Sequence, residues 1–339
     1  MKKVLFLGAD SADYLNVSIL NGLLENPSVD LFMYPQSNLL FENNKERYSQ
    51  TVRGGGFSIF FTNKKQKKIT EHDLQSKIDN SYFDLVIIGD IFASYPFYLW
   101  VEKFAIQFPS KIIILDGADS QNIFPYAGSM LWSKSKFFFT RVHKRHKYFK
   151  RELTNLSKKS MFYMLAPNFL LDKLNLHKNL RKISFGFPAQ KITDFSLLKK
   201  EKIFTKHIVD EEIAGIIDGS VSSYAFASEE SYYEDIQKSR FGITTKRSGW
   251  DCLRHYEIAA NGAVICFKDL DKKPASCAPH DLVPSKNCLS YRNYSDLMHQ
   301  INLLSEADYQ ELLNQTYAWI QSKNSKNIAA LFLKEAIND

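Results

Sequence analysis

Cations beside a glycine, followed directly by a helix, are the residue types that hold phosphate, and residues 246 to 254 supply them in that order. Lys246-Arg247-Ser248-Gly249-Trp250 is a basic, glycine-containing loop, and Asp251 has the chemistry of an N-cap. The spacing predicts a helix from Cys252 to Asn261, closed by Gly262 where a left-handed residue is wanted. Helix-terminal N–H groups and two cations would then meet where a phosphate can sit, which makes Lys246, Arg247, Ser248 and Gly249 candidate phosphate-binding residues. On the helix, Arg254 and Glu257 lie one turn apart on a polar face, while Leu253, Tyr256 and Ala260 form a packing face. A guanidinium near the helix start can pair with a diphosphate, and a carboxylate can accept both hydroxyls of a ribose. The same two residues can also form an ordinary ion pair on a solvated helix.

A second set of residues offers proton transfer. Asp10, Asp90, Asp116 and Asp119 each follow a short apolar run, and a carboxylate at such a place can serve as a general base. Asp116 and Asp119 come first, because they follow the clearest buried run and enclose the small Gly117 and Ala118; Asp10 comes next. The competing role for each is that of a turn or cap residue, a common use of aspartate.

These groups need a frame that brings strand ends together. Lys3 to Leu7, Val29 to Tyr34, Leu85 to Ile88 and Lys111 to Leu115 read as buried strands. Apolar residues at helical spacing from Asn16 to Leu24, and a stretch from Pro96 to Phe108, read as the helices between them. Alternating strands and helices imply a parallel sheet whose strand C-termini share one edge, the edge at which ligands bind. Residues 228 to 267 repeat the pattern as helix, strand, basic loop, helix and strand. Ser305 to Ile337 reads as helical, with Ser305 as its cap and Leu312, Leu313, Tyr317 and Ile320 at core spacing, and is placed to brace two domains. Gly54-Gly55-Gly56 has no strand before it and no helix after it, so it is read as a loop and not as a dinucleotide fingerprint.

Composition sets the bounds. With 339 residues, 45% hydrophobic and 24% charged, the chain can build two globular domains, and disordered, collagen-like and disulfide-stapled classes are excluded. No apolar run is long enough to span a bilayer, and the N-terminal Met-Lys-Lys-Val-Leu-Phe-Leu-Gly reads as a strand because acids follow it. The four cysteines, Cys252, Cys266, Cys277 and Cys288, form no C-x-x-C pair, which fits a reducing cytoplasm and leaves no metal site assigned. Net charge is +7, but Lys134 to Lys159 holds ten Lys or Arg against Glu152 alone, so that segment carries +9 and the remainder −2. Interleaved with aromatics, it suits an anionic membrane surface or an anionic substrate, or is a plain solvated face. No recognition motif accompanies it, and nucleic acid is not an expected partner.

Ser239-Arg240-Phe241-Gly242-Ile243, with Arg247, Gly249, Arg254-His255-Tyr256-Glu257 and Asn261-Gly262-Ala263-Val264, resembles the donor-binding segment of GT-B glycosyltransferases, nearest to exostosin-like and bacterial surface-polysaccharide enzymes. The resemblance covers about residues 228 to 274. Phe149-Lys150-Arg151-Glu152-Leu153 is also similar to a stretch of these enzymes, though less specifically. The resemblance implies an acceptor-side Rossmann-like domain over 1–180, a short donor domain over 181–304 and a helical segment over 305–339. It implies a nucleotide-sugar co-substrate with no further cofactor, Glu257 on the ribose, Arg247 and Arg254 on the diphosphate, and transfer without a bound metal to a glycan or lipid-linked acceptor in cell-surface polysaccharide synthesis. Asp269-Leu270-Asp271 spells the D-x-D of another glycosyltransferase fold and is read as a loop. The expectation is thus a cytoplasmic glycosyltransferase, peripheral to the inner face of the membrane through 134–159. A silent nucleotide- or glycan-binding module of the same fold and a basic docking scaffold are the alternatives.

Overall fold

Apolar runs buried on both faces become the centre of each sheet. The computed structural model describes residues 1–52, 56–64, 69–105, 111–124, 142–157, 167–173, 177–223 and 225–337. The first sheet contains β1 (Lys2–Leu7), β2 (Val29–Tyr34), β3 (Leu85–Ile88), β4 (Ile112–Asp116), β5 (Lys147–Lys150) and β6 (Leu180–Lys182). All six are parallel, in the order β2-β1-β3-β4-β5-β6. Register aligns Met33, Phe6, Ile87 and Ile113 across four strands. The strand period of two sends Val4, Phe6, Ile87 and Ile113 to one face and Leu5, Leu7, Ile88 and Ile114 to the other, each into its own apolar cluster. Helix α1 (Tyr14–Leu24) covers the first face, while α2 (Glu71–Asp79) and α3 (Ile91–Ala105) cover the second.

The second sheet is smaller: β7 (Lys202–Phe204), β8 (Ser239–Thr244), β9 (Val264–Lys268) and β10 (Leu289–Tyr291), parallel in the order β10-β9-β8-β7. Helix α4 (Glu229–Gln237) begins at Ser228, whose hydroxyl accepts the Ser231 N–H at 3.2 Å. Helix α5 (Leu253–Ala260) joins β8 to β9. The two parallel sheets make this an α/β protein with two Rossmann-like units, the C-terminal one short.

The C-terminal segment is two helices, α6 (Glu306–Ser322) and α7 (Ser325–Ile337). A capping box between Ser305 and Asp308 starts α6, which packs on α5 and β9. The chain then turns, and α7 lies along α1 of the first unit. One apolar cluster therefore runs from Phe6, Leu20 and Ile113, through Phe332 and Trp319, to Tyr256 and Ile265 of the second sheet. This shared core fixes the two units against each other. No helix among the described residues is long and apolar enough to cross a membrane.

The charged stretch from 134 to 159 does not form one surface. Lys134, Lys136, Arg141, Lys158 and Lys159 lie outside the described residues. Of the other five cations, Lys150 and Arg151 are buried, at 0% and 2% exposure, because Lys147–Lys150 is a strand inside the sheet. A buried lysine or arginine must be paired, and both are, so neither can meet a lipid headgroup. Of the glycine run at 54 to 56, only Gly56 is described.

Candidate active site

The parallel first sheet brings the expected acids to one edge, but their partners differ. Asp116, the last residue of β4, is fully buried. It accepts hydrogen bonds from the Tyr148 hydroxyl, from Lys150 Nζ at 3.0 Å and from the Ala118 N–H at 3.0 Å. A sealed carboxylate with three donors anchors β4 to β5 and has no face left for a substrate. Asp10 accepts the Asn38 N–H at 2.7 Å and the Asn38 side-chain amide at 3.0 Å, the work of a loop clasp. Asp90 sits at φ +45°, accepts the Ser11 hydroxyl at 2.7 Å and thereby ties the turn after β3 to the turn after β1. Asp119 is paired with Arg151 while half its side chain stays exposed.

A further carboxylate at this edge is Asp13, which the sequence analysis does not single out. It caps α1 by accepting the Asn16 N–H at 2.9 Å, at the point between β1 and β3 where an α/β sheet reverses order and binds ligands. Burial and then the neighbouring Asp90 push its carboxyl up to about 7; the Asn16 N–H and Arg151 oppose the rise. Its carboxylate lies against Gly117, where a Cβ would come within 2.2 Å of Oδ2. Its place before an apolar helix was a cap signal legible in the sequence; the approach of Asp90 and Gly117 was not.

Arg151 joins this edge to the second unit. Its guanidinium donates to Gly117 O at 2.9 Å, to Asp119, to Glu152 at 3.3 Å and to Asp251 O, and lies 4.6 Å from the Phe185 ring centroid. Burial disfavours its charge, yet Asp251, Glu152 and Asp119 outweigh that and hold its pKa above the usual value. Glu152, also buried, accepts the Asp251 N–H at 3.0 Å and the Cys277 thiol at 2.8 Å. Gly249 rests on the same carboxylate: a Cβ there would lie 2.5 Å from Glu152 Oε1, so the basic loop reaches this place only because residue 249 has no side chain.

Above that contact Lys246, Arg247 and Ser248 are exposed, and Gly249 is buried. Helix α5 starts one residue later than expected. Cys252, not Asp251, holds the cap position, without a side-chain cap. The Asp251 carboxylate faces inward instead, accepting the Tyr256 hydroxyl at 2.9 Å and the Phe185 N–H at 3.4 Å. Arg254 is partly buried, and its Nε is buried with no hydrogen-bond partner among the described residues. His207, on the loop after β7, lies near it: burial, then the charges of Arg254 and Arg247, depress the imidazole to about 4. Two pieces of chain, the loop carrying Lys246 and Arg247 and the first turn of α5, thus set a positive field at the C-terminal edge of the second sheet, and His207 beside them is held neutral by burial and by that field.

Glu257 makes no ion pair with Arg254 among the described residues. Both carboxylate oxygens are engaged, one by the Ser58 hydroxyl from the first unit and one by the Tyr232 hydroxyl at 2.9 Å. Ser58, at φ +66°, also donates its N–H to Glu229 at 2.5 Å and accepts the Tyr233 hydroxyl at 3.0 Å. Burial raises the Glu257 carboxyl, and the Ser58 hydrogen bond and Arg254 oppose that rise. Asp269 and Asp271 of the D-x-D stretch are spent on Lys272 at 3.1 Å and Arg292 at 3.7 Å, at the start of a 3₁₀ turn. Among the described residues no group of three or more His, Cys, Asp or Glu is placed to hold a metal.

No family model and no curated protein matches the chain. Solved structures do. A sucrose-phosphate synthase from Thermosynechococcus elongatus aligns over 99% of this chain and 98% of its own, with a TM-score of 0.53 at 9% identity. A trehalose-6-phosphate synthase, OtsA, aligns over 100% of this chain and 99% of its own, with a TM-score of 0.53 at 11% identity. The likeness shows the fold: two α/β units in the GT-B arrangement over nearly the whole chain.

Proposed function

We propose that this protein is a glycosyltransferase that moves a sugar from a nucleotide-sugar donor to a hydroxyl of a glycan or lipid-linked acceptor, in the making of a cell-surface polysaccharide. Arg247 and Arg254, with the loop N–H groups of 248 and 249, would hold the diphosphate, and Glu257 the ribose. The observation that carries the reading is Arg254, whose buried Nε has no hydrogen-bond partner among the described residues and which lies beside an exposed basic loop. A buried donor in that state calls for an anion.

The transfer breaks the bond between the sugar's anomeric carbon and the diphosphate oxygen and forms a bond to the acceptor oxygen. The departing diphosphate gains negative charge, which the fixed cations stabilise more than they do the bound donor. The acceptor's proton goes to Asp13, whose raised pKa suits a base at neutral pH. This assigns an inverting reaction, with Asp119 and Arg151 shaping the acceptor side.

Calorimetric titration with UDP-, GDP-, dTDP- and CMP-sugars tests the reading. One of these is expected to bind, and Arg254→Ala to weaken it without lowering the melting temperature. Binding indifferent to Arg254, or no binding by any of the four, overturns it.

A further inference from the structure

A cavity of about 210 Å³ shares no residue with the donor loop. Lys182, where the chain leaves β6, lines it together with His280 and Asp281 from a loop of the second unit, Lys323 after α6, and Leu331 and Phe332 on α7. Three separate parts of the fold therefore meet around it.

Its polar end is incompletely satisfied. His280 is 9% exposed, and its Nε2 is buried with no hydrogen-bond partner among the described residues. Native proteins seldom leave such an atom unpaired without an occupant. Lys323, 7% exposed, pairs with Asp281, whose side chain is mostly in water, and its ammonium has no other hydrogen-bond partner among the described residues. Lys182 is exposed and has no ion pair among the described residues. The field at this end is positive: burial first, then Lys182, Lys273 and Lys323, hold the His280 imidazole down to about 4, so it is neutral at physiological pH and can donate from Nε2.

Apart from Ser184 and Glu335 the remainder of the wall is apolar, with Leu331 exposed at 55% and Phe332 buried. Glu335 also lines the cavity and disfavours a second negative group. We propose that this cavity binds a small organic oxyanion, with one carboxylate or phosphate head on Lys182, Lys323 and His280 and a short apolar body along Leu331 and Phe332. The volume is below that of drug-sized sites, which limits the occupant to about one ring or a short chain. Because both units and α7 supply the lining, the occupant stabilises this arrangement of the two units.

Thermal shift and calorimetry on the full chain test the proposal with four probes: phenyl phosphate and benzoate for the two heads, inorganic phosphate without a body, and phenol without a charge. Phenyl phosphate or benzoate is expected to raise the melting temperature saturably at millimolar concentration, phosphate to bind at least about tenfold more weakly, and phenol not to bind. Lys182→Ala changes an exposed residue, so it is expected to fold and to lose about tenfold in affinity. Arg254→Ala is expected to leave the response intact. A response lost in Arg254→Ala but kept in Lys182→Ala puts the anion in the donor cleft and overturns the proposal. Phenol binding as well as phenyl phosphate, or no response to either aromatic anion, overturns it too. The donor-site reading survives each of these results.

Discussion

Arg151 and Arg254 have opposite surroundings. Arg151 is enclosed by Asp119, Glu152, the Asp251 carbonyl and the Gly117 carbonyl, and it holds the two units together. Arg254 stands in the first turn of α5 with a buried Nε that nothing described satisfies. A charge whose partners are all intramolecular contributes to the fold, and its loss leaves other charges uncompensated. A charge without partners costs the folded state something until a ligand arrives. The first kind of residue is a staple and the second a receptor, though both are arginines on one basic-looking chain.

That contrast predicts unequal effects of equal truncations. Arg151→Ala leaves Asp119, Glu152 and Asp251 without their cation, and the expected cost is about 3–5 kcal/mol of stability, read by chemical denaturation. A small change there would mean that the carboxylates were never dependent on it. Asp13→Asn is expected to lower turnover by about 10²–10⁴-fold while donor affinity holds. In the parent, kcat/KM should fall below pH 7, because the base must be ionised. Stability follows the same group with its own sign. A carboxyl raised from 3.8 to about 7 binds its proton more tightly in the folded protein, so stability declines as pH rises from about 4 to 7 and is level above that. Asp13→Asn should therefore gain over the parent across that window and keep the gain at pH 8.

Smaller effects sharpen the receptor side. Arg254→Ala is expected to reduce donor affinity by about ten- to a hundredfold, from the loss of a charge-assisted hydrogen bond, with thermal stability equal to or above that of the parent. Glu257→Gln should cost about tenfold in calorimetry, since the amide can accept at one atom only. Ser58→Ala should raise donor affinity by about two- to tenfold, because the ribose then no longer displaces the Ser58 hydroxyl from Glu257. An unchanged affinity in Ser58→Ala would separate that loop from the donor site.

Much of the fold was legible in the chain. Runs such as Leu85 to Ile88 and Val264 to Phe267 are apolar at every position, a pattern for strands covered on both faces, and both lie inside parallel sheets. Ser305 announced its helix by cap chemistry. The strand Lys147–Lys150 was hidden, because its lysines carry the signature of a solvated surface. Only the fold supplies Asp116 as the partner that lets Lys150 be buried.

The sequence by itself determined where cations, helix starts and acids lie along the chain, since phosphate-binding loops and caps are local in residue order. The tertiary structure alone decided which of them are free. It spent Asp116, Asp10 and Arg151 on internal bonds, lifted Asp13 by burying it and setting it beside Asp90, brought Ser58 of the first unit to Glu257 and left the Arg254 Nε without a hydrogen-bond partner among the described residues. Solvation and Coulomb energies depend on what surrounds a group in space, and residues 58 and 257 become neighbours only when both units close around one core.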